Sequence, residues 1–193
     1  MPLTRQLSLF GIEATVPAPD DLAGLLAGPG QVVRMGGTAR VSVVVEQRWR
    51  AAALVTELRD RGFAASCVAT VDEHLGVRTP YSSTLAPLAA AWLRGALKMP
   101  PAGFAFNGRR LRLWMMAAGY RDGFDMTFRL GRCEDSVEIT MRRALGAVGL
   151  PAEILAGNAR SGPALRISGR RRLARLAEII GDPPTSAPEG AWP

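Results

Sequence analysis

The sequence predicts an α/β (α+β) fold in which two related αββαββα halves make one compact body. Three observations point there. The order helix, two strands, helix, two strands, helix can be followed along the first half and recurs in the second with one long strand in place of the first pair. Its landmarks recur at an offset of about 88 residues, far beyond the periods of solenoid repeats. A chain of 193 residues can also bury one sizeable core, or two small lobes that share one.

In the first half, Asp20 or Asp21 can cap a helix carrying Leu22, Leu25 and Leu26, which Gly28-Pro29-Gly30 stops. Gln31 to Met35 and Arg40 to Glu46 flank Gly36-Gly37, a hairpin turn signal, and Val41, Val43 and Val45 share one face. Ala53, Leu54, Val55 and Leu58 stand at helical spacing between Trp49 and Arg61, with Gly62 as a natural stop. Ala65 to Val71 and Gly76 to Pro80 give two more strands, and Ser83 to Leu97 a closing helix.

In the second half, Leu111 to Ala118 predicts an apolar helix and Phe124 to Leu130 one long strand, with Phe124, Met126, Phe128 and Leu130 on a single face. Asp135 caps a helix that runs to Val148. Gly149-Leu150-Pro151-Ala152 matches Gly62-Phe63-Ala64-Ala65. Strands over Glu153 to Ala156 and Ala164 to Ser168 and a helix from Arg172 to Ile180 complete it. The expected organisation is a flexible leader over 1–18, halves over 19–98 and 110–182 joined by a linker over 99–109, and a disordered tail over 183–193.

Composition narrows the function classes. No run of about 18 apolar residues could span a bilayer, and the polar amino terminus lacks a secretory core, so a cytoplasmic location is expected. Cys67, Cys133 and His74 are too few for a structural zinc site, and no cofactor or metal is expected. The net charge of +7 rests on 23 arginines and one lysine, Lys98. Such an excess suits a polyanion, nucleic acid first, although solubility alone would also explain it.

Leu22-Ala23-Gly24-Leu25-Leu26-Ala27-Gly28-Pro29-Gly30 and its counterpart Leu111 to Gly119 resemble the central helices of the LAGLIDADG homing endonuclease fold. Leu22 to Gly37 with Ala39 to Glu46 is similar to the degenerate, non-nuclease form of that fold in the amino-terminal domain of the WhiA regulators. The resemblance implies two halves packed through their first helices under a saddle-shaped sheet that tracks double-stranded DNA. Family nucleases place one metal-binding acid at the end of each central helix; the matching positions are Pro29 and Ala118, neither a ligand. A shifted register offers Asp122 alone. The resemblance therefore implies a non-catalytic body, with a metal-dependent endonuclease or a WhiA-like regulator or protein-interaction module as alternatives.

Other candidates are weaker. Asp72-Glu73-His74 reads as a solvated strand end, and Gly28-Pro29-Gly30 lacks the Gly-Lys-Ser/Thr of a phosphate loop. Gln6-Leu7-Ser8-Leu9-Phe10 resembles the pentapeptide with which bacterial polymerases and repair factors dock on the replication sliding clamp. Leu9 and Phe10 would fill an apolar pocket while the Gln6 amide bonds near its rim. A bland alternative is a first strand packing through Leu7, Leu9 and Phe10. Strand alternation proposes a DNA face of Arg40, Ser42, Thr127, Arg129 and Arg166, with Arg34 and Arg78 nearby; Asp125 on that face counts against it. The expectation is a nucleoid-associated factor of replication or repair.

Overall fold

The computed structural model describes residues 11–12, 16–158 and 162–193. The pentapeptide Gln6–Phe10 lies outside them. One turn of 3₁₀ helix (Pro19–Leu22) leads into α1 (Ala23–Ala27), followed by β1 (Gln31–Met35), β2 (Thr38–Val45), α2 (Arg48–Asp60), β3 (Ser66–Ala69), β4 (Leu75–Arg78) and α3 (Ala86–Trp92). A two-residue hairpin, β5 (Leu93–Arg94) and β6 (Leu97–Lys98), stands between the halves. The second half runs α4 (Gly108–Ala118), β7 (Gly119–Asp122), β8 (Asp125–Arg129), α5 (Asp135–Ala147), β9 (Glu153–Asn158), β10 (Gly162–Ile167) and α6 (Arg170–Ile180).

Each half builds a four-stranded antiparallel sheet, ordered β1-β2-β4-β3 and β7-β8-β10-β9. The matching orders bear out the duplicated α/β plan. The single long strand expected over Phe124 to Leu130 is corrected: Gly119–Asp122 pairs with Asp125–Arg129 in a hairpin equivalent to β1-β2. Gly123 takes a φ of 60° at its turn, and Phe124, expected inward, is 93% exposed there. The helix expected to reach Leu97 ends at Trp92, where the chain turns into β5.

One hydrophobic core spans both halves. Its centre is the crossing of α1 and α4. A Cβ on Gly24 would lie 1.9 Å from the Arg110 carbonyl oxygen, and one on Gly28 would lie 2.6 Å from the Trp114 ring, so two glycines four apart let the helix backbones meet. The linker is part of this core. Phe104 and Phe106 complete an aromatic row, Trp92–Phe104–Phe106–Trp114–Phe128, with centroids 4.9 to 5.2 Å apart.

Buried charges tie the elements together in pairs. Arg61 bridges Asp21 at 3.0 Å and Glu57 at 2.7 Å, and Glu57 in turn holds Arg112 of α4 at 2.7 Å. Burial pushes the Glu57 carboxyl upward, but the hydrogen bonds from Arg112 and Arg61 together outweigh it and hold it below the usual range.

The tail, expected to be disordered, is docked. Trp192 is buried and its indole donates to the Gly181 carbonyl at 2.8 Å, with the Arg112 guanidinium over its ring. Arg121 donates to the Gly190 and Trp192 carbonyls, and Ser186 to that of Trp49. The buried Trp192 ring and these hydrogen bonds together anchor the Pro- and Gly-rich segment. Trp192→Ala is expected to lower stability by about 3 kcal/mol, read from thermal unfolding of the full chain; an unchanged midpoint would contradict this docking. The leader is also partly fixed: Gly11 is buried, and Ile12 lies against Gly108 and Gly181.

Candidate nucleic-acid interface and the helix-end cleft

Strand register decides which side chains share the open sheet face, the side away from the helices. Val41, Val43 and Val77 are buried under the helices, so Ser42 and its partner Arg78 face out, as does Arg40 opposite Val33. Arg78 donates to Ser66 on β3, and Arg40 lies over the Tyr81 ring. Arg34 is a correction. It pairs with Ala39, so it has the parity of Val32 and Val41 and lies on the helix side of an edge strand, away from Arg40.

In the second sheet, Met126, Phe128, Leu165 and Ile167 are buried, and Thr127, Arg129 and Arg166 have the outward parity expected. Thr127 nevertheless has no exposed surface, since it sits between its cross-strand neighbours Tyr120 and Arg166. Arg166 holds Glu153 at 2.8 Å with Asp125 at 4.0 Å, and Arg129 holds Glu46 at 2.8 Å. On the open faces, Arg40, Arg78, Arg129 and Arg166 are thus balanced by Glu46, Asp122, Asp125 and Glu153, four against four. Most of the net charge of +7 lies elsewhere. The first sheet also exposes Val33, Met35, Val44 and Val68.

The Arg129–Glu46 pair joins the two sheets, and beside it lies a cleft of about 340 Å³. Pro29, just past the end of α1, and Ala118, the end of α4, both line it, which supports the register read from the sequence. The other lining groups include Glu46, Arg50, Tyr120, Arg129, Gly131 and Arg132. Asp122, the acid of the shifted register, lies at the far end of β7 and does not line the cleft. Among the described residues no cluster of three His, Cys, Asp or Glu side chains could hold a metal ion.

A cation stands near the end of each central helix instead. Arg50, buried at the start of α2, donates to the Met115 and Met116 carbonyls at 3.1 and 2.8 Å and to that of Gly119, while Gln47 accepts from its Nε. It caps the carboxyl end of α4, where the helix dipole favours positive charge. Burial lowers its pKa to about 10, with Arg129 adding to the effect, so it stays charged at neutral pH. Lys98 Nζ, brought in by the β5-β6 hairpin, donates to the Gly28 and Gly30 carbonyls at 2.5 and 2.7 Å and holds the loop that follows α1. Sequence reading missed both; the only hint was that Lys98 is the single lysine.

Lys98 makes a pH prediction. Burial lowers its folded pKa to about 8 from the ordinary 10.5. Below pH 8 both states hold the proton; between about 8 and 10.5 only the unfolded chain does, so unfolding free energy rises with pH. The nearby Cys133 thiol, raised to about 11 by burial first and Glu138 next, contributes the opposite slope above pH 9. In a Cys133→Ser background, the stability advantage of Lys98 over Lys98→Met should therefore grow from pH 7 to pH 10 in urea melts; a shrinking advantage would contradict a buried ammonium.

Several solved structures share this architecture. The homing endonuclease I-WcaI bound to its DNA recognition sequence matches with a TM-score of 0.64 at 10% identity, over 93% of this chain and 90% of that one. The N-terminal LAGLIDADG domain of WhiA matches with a TM-score of 0.56 at 15% identity, over 85% and 82%. I-DmoI in complex with DNA and Ca matches with a TM-score of 0.51 at 17% identity, over 86% and 95%. At these identities the likeness shows the fold: a single LAGLIDADG-like α/β body. No protein-family model and no curated protein matches the sequence.

Proposed function

We propose that this chain is a non-cleaving, DNA-associated saddle, tethered to the bacterial replication sliding clamp by Gln6–Phe10 and acting in replication or repair. The observation that carries the non-cleaving part is the helix-end cleft, where Pro29 and Ala118 stand at the positions that match the family's two acids and Arg50 and Arg129 bring positive charge. A divalent ion there would meet no pair of carboxylates and a field of its own sign. The residues do not fit the metal that the fold family uses.

Duplex DNA as the partner is supported by the fold shared with two DNA-bound endonucleases and by the overall positive charge. Because the open-face arginines are balanced by acids, intrinsic affinity should be low, and tethering would raise the local concentration of DNA around it. The pentapeptide precedes Gly11, which is buried against the body, so a docked clamp would sit close to the α4 and α6 side.

Replacing Leu9 and Phe10 together with alanine should abolish clamp capture by the full chain while its thermal midpoint stays put. Undiminished capture would remove the tether. A second reading, a protein-contact module, is favoured by exposed Val33, Met35, Val44 and Val68 on the first sheet. Failure to bind any duplex even at low salt would select it.

A further inference from the structure

The misfit between the cleft and a metal ion has a positive counterpart. Two guanidinium groups, Arg50 and Arg129, stand with one carboxylate, Glu46, in a cavity at the junction of the two sheets, which Arg132 also lines. Arg50 is fixed by main-chain carbonyls and the Gln47 amide oxygen rather than by a carboxylate. We infer that this cleft is a metal-independent site for one phosphate group, taken by the Arg129 guanidinium in exchange for Glu46 above the buried charge of Arg50. The site deepens the duplex-binding reading by naming where a backbone phosphate would sit, and it rests on that reading only for the source of the phosphate.

Arg129 is prepared for this exchange. Its carbonyl accepts from the Trp114 indole at 2.9 Å, and its guanidinium stacks over Tyr120 at 4.9 Å, so the planar fork is held in place. Its present partner is replaceable. Both members of the Arg129–Glu46 pair are about half exposed, and such pairs contribute little. A phosphate offers two oxygens to the fork and more charge than a carboxylate. The pull of Arg129, chiefly through its hydrogen bond, already holds the Glu46 carboxyl below its usual range, so Glu46 occupies the site as an anion at neutral pH. Arg132 on the rim and Gly131 beside it leave the mouth open to a polymer as well as to a free ion.

The test titrates the full chain in EDTA with inorganic phosphate, and separately with a short duplex, following the heat of binding by isothermal titration calorimetry in the native chain and in each variant. Glu46→Gln should tighten phosphate binding by roughly 1.5- to 5-fold, the value of an exposed competing pair. Arg129→Gln should remove saturable binding, and Mg²⁺ should change neither result. Because Glu46→Gln is a gain, misfolding cannot mimic it. If the duplex follows the same variants, the phosphate is that of a nucleic-acid backbone; if only inorganic phosphate does, the site stands as one for a free anion. A chain that takes phosphate but no duplex would defeat the duplex reading and leave the site intact. Phosphate binding that ignores both variants, or that needs Mg²⁺, overturns the site.

Discussion

Gly24→Ala is expected to lower stability by about 3 kcal/mol or more, the upper range for overpacking a core. The added Cβ would stand 1.9 Å from the Arg110 carbonyl oxygen, a backbone atom in the first turn of α4. No rotamer change can relieve that contact, so α1 and α4 must part. Parting them opens the buried crossing on which Leu22, Leu25, Leu26, Leu111 and Met115 pack. At roughly 2–4 °C per kcal/mol for a chain of this size, the thermal midpoint should fall by about 6–12 °C. Gly146→Ala is the control. Gly146 lies in α5 with open space where the new Cβ would go, so this change should leave the midpoint equal or slightly higher. Equal effects from the two variants would contradict a backbone-on-backbone crossing.

Arg50→Ala should cost about 3 kcal/mol, because it strips the charged donor from buried carbonyls that cost roughly 1–3 kcal/mol each when left unsatisfied. The loss leaves the carbonyls of Met115, Met116 and Gly119 without their donor and Gln47 without a partner for its Oε1 from the Arg50 side. It also detaches α2 of the first half from the end of α4 in the second, a connection that packing alone does not replace. Arg50→Lys should recover only part of this, because a single ammonium cannot reproduce a fork that spans carbonyls from 115 to 119. The urea midpoint, with an unchanged m-value, is the readout. A variant within 1 kcal/mol of the native chain, a figure of the order of a typical surface change, would contradict the capping role.

The element order and the first hairpin were legible through periodicity and punctuation, which are local signals. Gly36-Gly37 announced one hairpin, whereas the second was hidden because Phe124, in the turn itself, continues the period-two pattern of Met126 and Phe128. Arg34 was misplaced for the same kind of reason: a two-residue turn pairs Met35 with Thr38, and that register alone sends Arg34 to the helix side. Pattern cannot show which arginines will find acids. Arg129–Glu46, Arg166–Glu153 and Arg112–Glu57 join residues 83, 13 and 55 positions apart. Arg50 and Lys98 were illegible because their partners are main-chain carbonyls, which leave no trace in residue identity. The docked tail was obscured by its Pro and Gly content, because its anchors are one tryptophan at 192 and hydrogen bonds from Arg121 and Ser186 to distant or main-chain partners.

The central claim proposed for this LAGLIDADG-like body is that it binds duplex DNA without cleaving it. That claim is tested most directly by one anisotropy series with a labelled duplex, titrated in EDTA and in Mg²⁺ at rising salt, with each sample then run on a denaturing gel. The expected result is weak binding that falls with salt, is indifferent to Mg²⁺ and leaves both strands intact. Strand cleavage that requires Mg²⁺ and survives repurification of the chain would contradict it.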